Sequence, residues 1–153
     1  MRDRLLRQTK REHSPKQRLA LLAAAGILFL VILPWALIDL GGLLDRLLDW
    51  PALLHPPANA ILGGLMILTG WPFALWSIYL QFTLGRGTPV PVMATQELIV
   101  CPPYSYCRNP MALGTIIAYG GLSVVAGSPG AALLVLLGAA VLVTYVRVLE
   151  ERE

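Results

Sequence analysis

Three long stretches without a charged side chain, Leu19–Ile38, Ala58–Leu84 and Met111–Val146, constrain this 153-residue chain more than any other feature. An apolar run of about 20 residues is enough to cross a hydrocarbon core of about 30 Å. In water each run would need burial on every side, and with only 14% charged residues and a mean hydropathy of +0.66 the chain lacks the polar surface to provide it. The sequence therefore reads as an all-α integral membrane protein. The first two runs each make one crossing. The third is too long for one, and "AGSPGA" at Ala126–Ala131 divides it, with Pro129 and Gly130 supplying turn chemistry. Four transmembrane helices are expected, at about 19–38, 58–84, 111–127 and 131–149, in a single domain 19–153 behind a basic tail, 1–18. A cleaved leader is the competing reading of the N-terminus. The apolar run is too long for one, and no small-x-small site follows Ile38, so an anchor is expected.

Lys and Arg set the orientation. Seven lie in the tail (Arg2, Arg4, Arg7, Lys10, Arg11, Lys16, Arg18), two in the loop 85–110 (Arg86, Arg108) and two at the C-terminal end (Arg147, Arg152), leaving only Arg46 between the first two spans. The positive-inside rule then makes both termini and the 85–110 loop cytoplasmic, as expected for a bacterial or archaeal inner membrane. The net charge of +3 is explained by this topology and by attraction to anionic lipid, so no nucleic-acid partner is expected. Cys101 and Cys107 fall in that loop, where thiols stay reduced, and their spacing fits neither a CxxC pair nor a zinc site. No metal site is expected.

Between the first two spans, "LLDRLLDWPALL" (43–54) places Leu43, Leu44, Leu47, Leu48 and Trp50 opposite Asp45 and Asp49, a pattern suited to a short helix lying in the membrane interface. Pro34 and Pro72 should bend their spans. The last two spans are rich in small residues (Gly114, Gly120, Gly121 and Gly127; Ala131, Ala132, Gly138, Ala139 and Ala140). Helices in lipid associate through close backbone approach, so these two are expected to form a tight antiparallel hairpin.

Soluble nucleotide-binding folds are excluded, since neither GxGxxG after a strand nor GxxxxGK[ST] occurs. The only histidines, His13 and His55, lie in the tail and the opposite loop, so neither is expected to serve as a base for the polar residues at the cytoplasmic face. Two polar clusters remain there. In "CRNP", Asn109 is a strong N-cap and Pro110 is suited to the first helical position, while Arg108 can snorkel to phosphates. In "RVLEERE", Glu150 and Glu151 sit at a helix C-terminus, where carboxylates oppose the macrodipole, and Arg147 can pair with them along the helix. Antiparallel spans three and four would bring both clusters to one membrane surface, beside the rings of Tyr104 and Tyr106.

"GRGTPVP", "LIVCPPYSYCRNPMALG" and the terminal "LEERE" together resemble the isoprenylcysteine carboxyl methyltransferase and phospholipid methyltransferase family of integral membrane enzymes, over roughly Gly85 to Glu151. The resemblance implies S-adenosylmethionine as cofactor, bound at the cytoplasmic ends of the last two helices, and a lipophilic acceptor entering from the bilayer. Carried over by position, the family's Tyr-x-Tyr-x-Arg-x-Pro motif falls on Tyr104, Tyr106, Arg108 and Pro110, its following glycine on Gly114 and its Glu pair on Glu150 and Glu151. These residues, with Asn109, are implied to line the cofactor pocket, and Arg108 and Glu150 to act at the reacting groups. The chain departs from the family pattern in having Pro102-Pro103-Tyr104 for the usual Gly-Pro-Tyr, Ala112 for a frequent aromatic, and an end at Glu153 where members commonly continue.

The expected activity is methyl transfer from S-adenosylmethionine to a lipophilic acceptor at the cytoplasmic face. Without a histidine, a carboxylate or thiolate acceptor is favoured, an amine needing Glu97 or Glu150 as base. The alternatives are a non-enzymatic membrane subunit on the same scaffold or, with less room in the short loops, a nicotinamide-dependent membrane reductase. The oligomeric state is left open.

Overall fold

The computed structural model describes residues 15–84, 101–107 and 109–145. The tail before residue 15, the loop segment 85–100, Arg108 and the C-terminal residues 146–153 lie outside the described residues. Every regular element of the described residues is helical, without a strand: α1 (Pro15–Ile27), a π-helical turn (Leu28–Ile32), α2 (Leu33–Leu48), α3 (Ala58–Thr83), α4 (Pro110–Ala126) and α5 (Pro129–Tyr145). Two helical stretches, Leu22–Leu48 and Ala58–Thr83, are long and apolar enough to cross a membrane, while α4 and α5 are apolar but shorter.

α1, the π turn and α2 form one unbroken rod, because the residues at the two junctions, Ile27, Ile32 and Leu33, all keep right-handed helical dihedrals. The rod runs well past the expected end at residue 38. Leu43–Leu48, read from the sequence as the start of a separate interfacial segment, are instead its last turns. The Gly41-Gly42 pair weakens the helix without ending it, since the leucines, Asp45 and Arg46 that follow are all tolerated in a helix. Asp49 turns left-handed (φ 52°), and the Trp50 amide donates to the Asp45 carbonyl at 3.0 Å, closing the helix before Pro51.

The π turn has a local cause. Leu33 donates its amide to the Leu28 carbonyl, five residues back, and so cannot serve Phe29; the next candidate donor, Pro34, has no N–H. The Phe29 carbonyl is thereby stripped of a backbone donor deep in an apolar helix, where an unpaired carbonyl is costly. Tyr119 of α4 donates its hydroxyl to that carbonyl at 2.6 Å, while its ring meets Trp71 of α3 edge-on at 5.9 Å. The proline thus produces a widened turn and a tie between helices.

α3 and α4 form the closest pair and run antiparallel. Their facing positions are small: Gly63, Gly70, Ala74 and Ser77 on α3, and Gly114, Ala118 and Gly121 on α4, all buried. A Cβ added at Gly63 would lie 2.5 Å from the Gly121 carbonyl oxygen, and one at Gly70 would lie 2.6 Å from that of Gly114. This backbone-to-backbone approach is the packing available to helices in lipid, where apolar burial supplies no net drive.

The expected tight hairpin between the last two helices is corrected here. The small face of α4 is already occupied by α3, whose glycines match it in spacing. α5 instead seats its first turn on α2, where Ala131 lies against Gly41, and at mid-helix Gly138 has open space within 4 Å. The break between α4 and α5 falls where expected, but Gly127 (φ 65°) makes it, accepting the C-cap role with its amide on the Ser123 and Val124 carbonyls. Pro129 and Gly130 belong to the first turn of α5.

Candidate functional site

The end of the bundle where α3 finishes and α4 begins holds the described part of the motif. Cys101–Cys107 wind into a compact pair of turns: the Tyr104 amide donates to the Cys101 carbonyl at 3.0 Å, and the Tyr106 amide to that of Pro103 at 3.0 Å. Pro103 is fully buried, which roots these turns against the helices. Tyr104 then reaches across to α3, its hydroxyl donating to the Ser77 carbonyl at 3.1 Å. Ser77 bonds its own hydroxyl back to the Phe73 carbonyl at 2.9 Å, so its hydroxyl and its carbonyl are both engaged.

Burial raises the Tyr104 hydroxyl from its ordinary 10.0 to about 12, and the neighbouring Cys107 and Cys101 thiols add to the effect. The folded protein therefore holds this proton more tightly than the unfolded chain. Its contribution to stability is complete below pH 10 and lost as pH rises through about 12. In an alkaline titration followed by tyrosinate absorbance, Tyr104→Phe is expected to lower the amplitude of the change near pH 12 by one tyrosine and leave the earlier transitions in place.

The sequence reading of "RNP" as helix punctuation is met in detail for its described residues. Asn109 is the N-cap, its side-chain oxygen accepting the Ala112 amide at 3.1 Å, and Pro110 is fully buried at the first helical position. Gly114, one turn on, is buried against α3: an added Cβ would meet the Ala74 nitrogen at 2.7 Å. Tyr106, by contrast, is 73% exposed. The structure thus brings Tyr104, Asn109, Pro110 and Gly114 together at the α3/α4 end, with Tyr106 on the surface. Arg108, Glu97, Glu150 and Glu151 lie outside the described residues.

Sequence reasoning missed two residues of this region. Ser77 supplies the carbonyl that anchors the loop, and nothing in the sequence announces a bond to a residue 27 positions away. Gln81, near the end of α3, has a buried side-chain oxygen that accepts no hydrogen bond from the described residues. A glutamine within a charge-free run was the available signal, since an amide in such a setting needs partners.

The phospholipid methyltransferase family matches residues 58–153, which covers α3, the loop, α4, α5 and the terminal Glu pair. The chain belongs to that family. No curated protein and no solved structure matches it. As a phospholipid methyltransferase family member it is a membrane protein of a methyl-transferring class that acts on lipid-type substrates, and the match begins at the first residue of α3. The family's methyltransferases generally draw on S-adenosylmethionine. Two described features fit such a group: the anchored aromatic ring of Tyr104, and an orphaned buried oxygen on Gln81 that lacks a donor.

Proposed function

We propose that the protein transfers a methyl group from S-adenosylmethionine to a lipophilic acceptor at the cytoplasmic face of a membrane that it crosses four times, with both termini cytoplasmic. The observation that carries this reading is the docking of the motif loop onto the α3/α4 pair inside the family-matched region, through Tyr104 on Ser77 and Asn109 capping α4.

When bound, S-adenosylmethionine supplies an electrophilic methyl group on a sulfonium centre. Arg108 would hold the carboxylate of its methionine end, a fork-to-carboxylate match. Glu150 and Glu151 would hold its ammonium and balance the sulfonium charge, and the Tyr104 ring offers a face to a cation. In-line displacement needs little covalent help, so positioning and exclusion of water are the chain's main contributions. The phospholipid substrates of the family bring a headgroup amine forward beside the carboxylate and thiolate acceptors. An amine must shed a proton, and Glu150 or Glu97 would be the base.

Calorimetric titration of the detergent-purified protein with S-adenosylmethionine tests the reading. Saturable micromolar binding is expected, weakened by roughly tenfold or more in Arg108→Ala, the scale of losing one charge-assisted contact. Absence of binding to the unaltered protein would overturn it.

A further inference from the structure

Gln81 stands apart from the other amide and hydroxyl side chains of Asn, Ser and Thr on α3. Asn59 donates to the Val125 carbonyl, Thr69 to that of Leu65, Ser77 to that of Phe73 and Thr83 to that of Tyr79. Each is satisfied within the fold. The Gln81 side-chain oxygen is shut away from solvent and, among the described residues, is the one buried side-chain polar atom left without a partner. Native interiors rarely leave such an atom unpaired, and one that is calls for an explanation, a bound group being one.

Its position narrows the choice. Gln81 lies one helical turn beyond Ser77, the residue whose carbonyl holds the Tyr104 hydroxyl. Side chains on a helix lean toward its N-terminus, which carries the Gln81 amide back toward the Ser77 turn and the docked loop. The partner it lacks among the described residues is an N–H or O–H donor at the motif end of the bundle.

We infer that Gln81 is the adenine-reading residue of the cofactor site, its side-chain oxygen accepting a hydrogen bond from the exocyclic amine of the base. The inference rests on the S-adenosylmethionine reading above. A carboxamide presents an acceptor and a donor side by side, which is the complement of adenine's N6–H and N7 edge. The charged end of the cofactor calls for charged partners, and Arg108, Glu150 and Glu151 are of that kind. A neutral amide whose oxygen is buried without compensation suits the neutral heterocycle.

The test compares binding of S-adenosylhomocysteine and S-inosylhomocysteine to the full chain in detergent. The inosyl compound has a carbonyl where adenine has its amine, so the Gln81 oxygen would face another acceptor. The unaltered protein is expected to prefer the adenosyl compound by about ten- to a hundredfold, the discrimination usual for one amide–base pair. Gln81→Met, nearly isosteric, should bring that ratio close to one while leaving the melting temperature of the ligand-free protein unchanged or higher, because no bond is lost. Equal affinities in the unaltered protein, or an undiminished preference in Gln81→Met, would overturn the inference and leave the cofactor reading intact. A Gln81→Met protein that no longer folds would assign Gln81 a structural role and overturn it as well. Failure of the unaltered protein to bind either compound would remove both readings.

Discussion

Gly114→Leu is expected to prevent α3 and α4 from closing, and Gly114→Ala to destabilise the folded protein by about 3 kcal/mol, at the top of the range for overpacking. The reason lies in what an added carbon would strike. At Gly114 the nearest atoms are the Ala74 nitrogen and the Gly70 carbonyl oxygen, both at 2.7 Å, and the Ala74 Cβ at 3.0 Å. Two of these are backbone, which cannot swing aside as a side chain does, so relief requires the helices to move apart. That movement would loosen the Gly70–Ala118 and Gly63–Gly121 contacts on the same face. Alanine recovers about 1 kcal/mol of helix propensity over glycine, which offsets only part of the cost. Gly64 and Gly138 are the internal comparison, since neither has an atom within 4 Å of an added Cβ. Gly64→Ala and Gly138→Ala are expected to be neutral or stabilising by up to about 1 kcal/mol. Thermal unfolding of the detergent-solubilised variants, followed by tryptophan fluorescence, reads the ranking. A Gly114→Ala protein as stable as Gly64→Ala would refute the close α3/α4 contact.

That contact was invisible to the sequence although every residue in it was on view. Charge-free runs located the helices, because helix existence in this chain is governed by where charges are absent. Partner choice obeys different physics. α3, α4 and α5 are apolar on all sides, so no amphipathic stripe says which face turns inward. Small residues mark the faces that can approach, but α4 and α5 both carry them, and adjacency along the chain favoured pairing those two. The deciding fact is register: Gly63, Gly70 and Ala74 on α3 fall opposite Gly121, Ala118 and Gly114 on α4, while the first turn of α5 meets α2 around Gly41, Leu44 and Asp45. The site shows the same division. Asn109 and Pro110 were legible as cap and first position because capping depends on neighbours in sequence. The Tyr104 anchor on Ser77 and the orphaned Gln81 oxygen depend on how the loop folds back over α3, which local chemistry does not encode. Pro34 was legible as a perturbation, but its effect, a widened turn whose stranded carbonyl is caught by Tyr119, required the tertiary partner.

Asp45→Ala is the second large effect, expected to cost about 2–3 kcal/mol, the sum of a helix cap and a charge-assisted hydrogen bond. Read as a residue on the polar side of an interfacial helix, Asp45 would face water, and its removal would change stability by no more than about 0.5 kcal/mol. The structure gives it another task. Its carboxylate accepts the Gly130 amide at 2.7 Å and the Ser128 hydroxyl, and Ser128 in turn accepts the Ala131 amide at 3.0 Å. One carboxylate from α2 and one hydroxyl at the start of α5 together satisfy the second and third amides of α5, and the negative charge sits at the favourable end of that helix's dipole. This cap is also the point where α5 is held to the bundle, since Gly130 and Ala131 are the residues of α5 seated on Gly41. Ser128→Ala should cost about 1 kcal/mol alone. After Asp45→Ala it should cost clearly less, because the hydroxyl has then lost the acceptor that orients it. A double-mutant cycle over Asp45 and Ser128, read by thermal unfolding, is expected to give a coupling of about 1 kcal/mol. Strict additivity would mean that the two groups serve α5 independently.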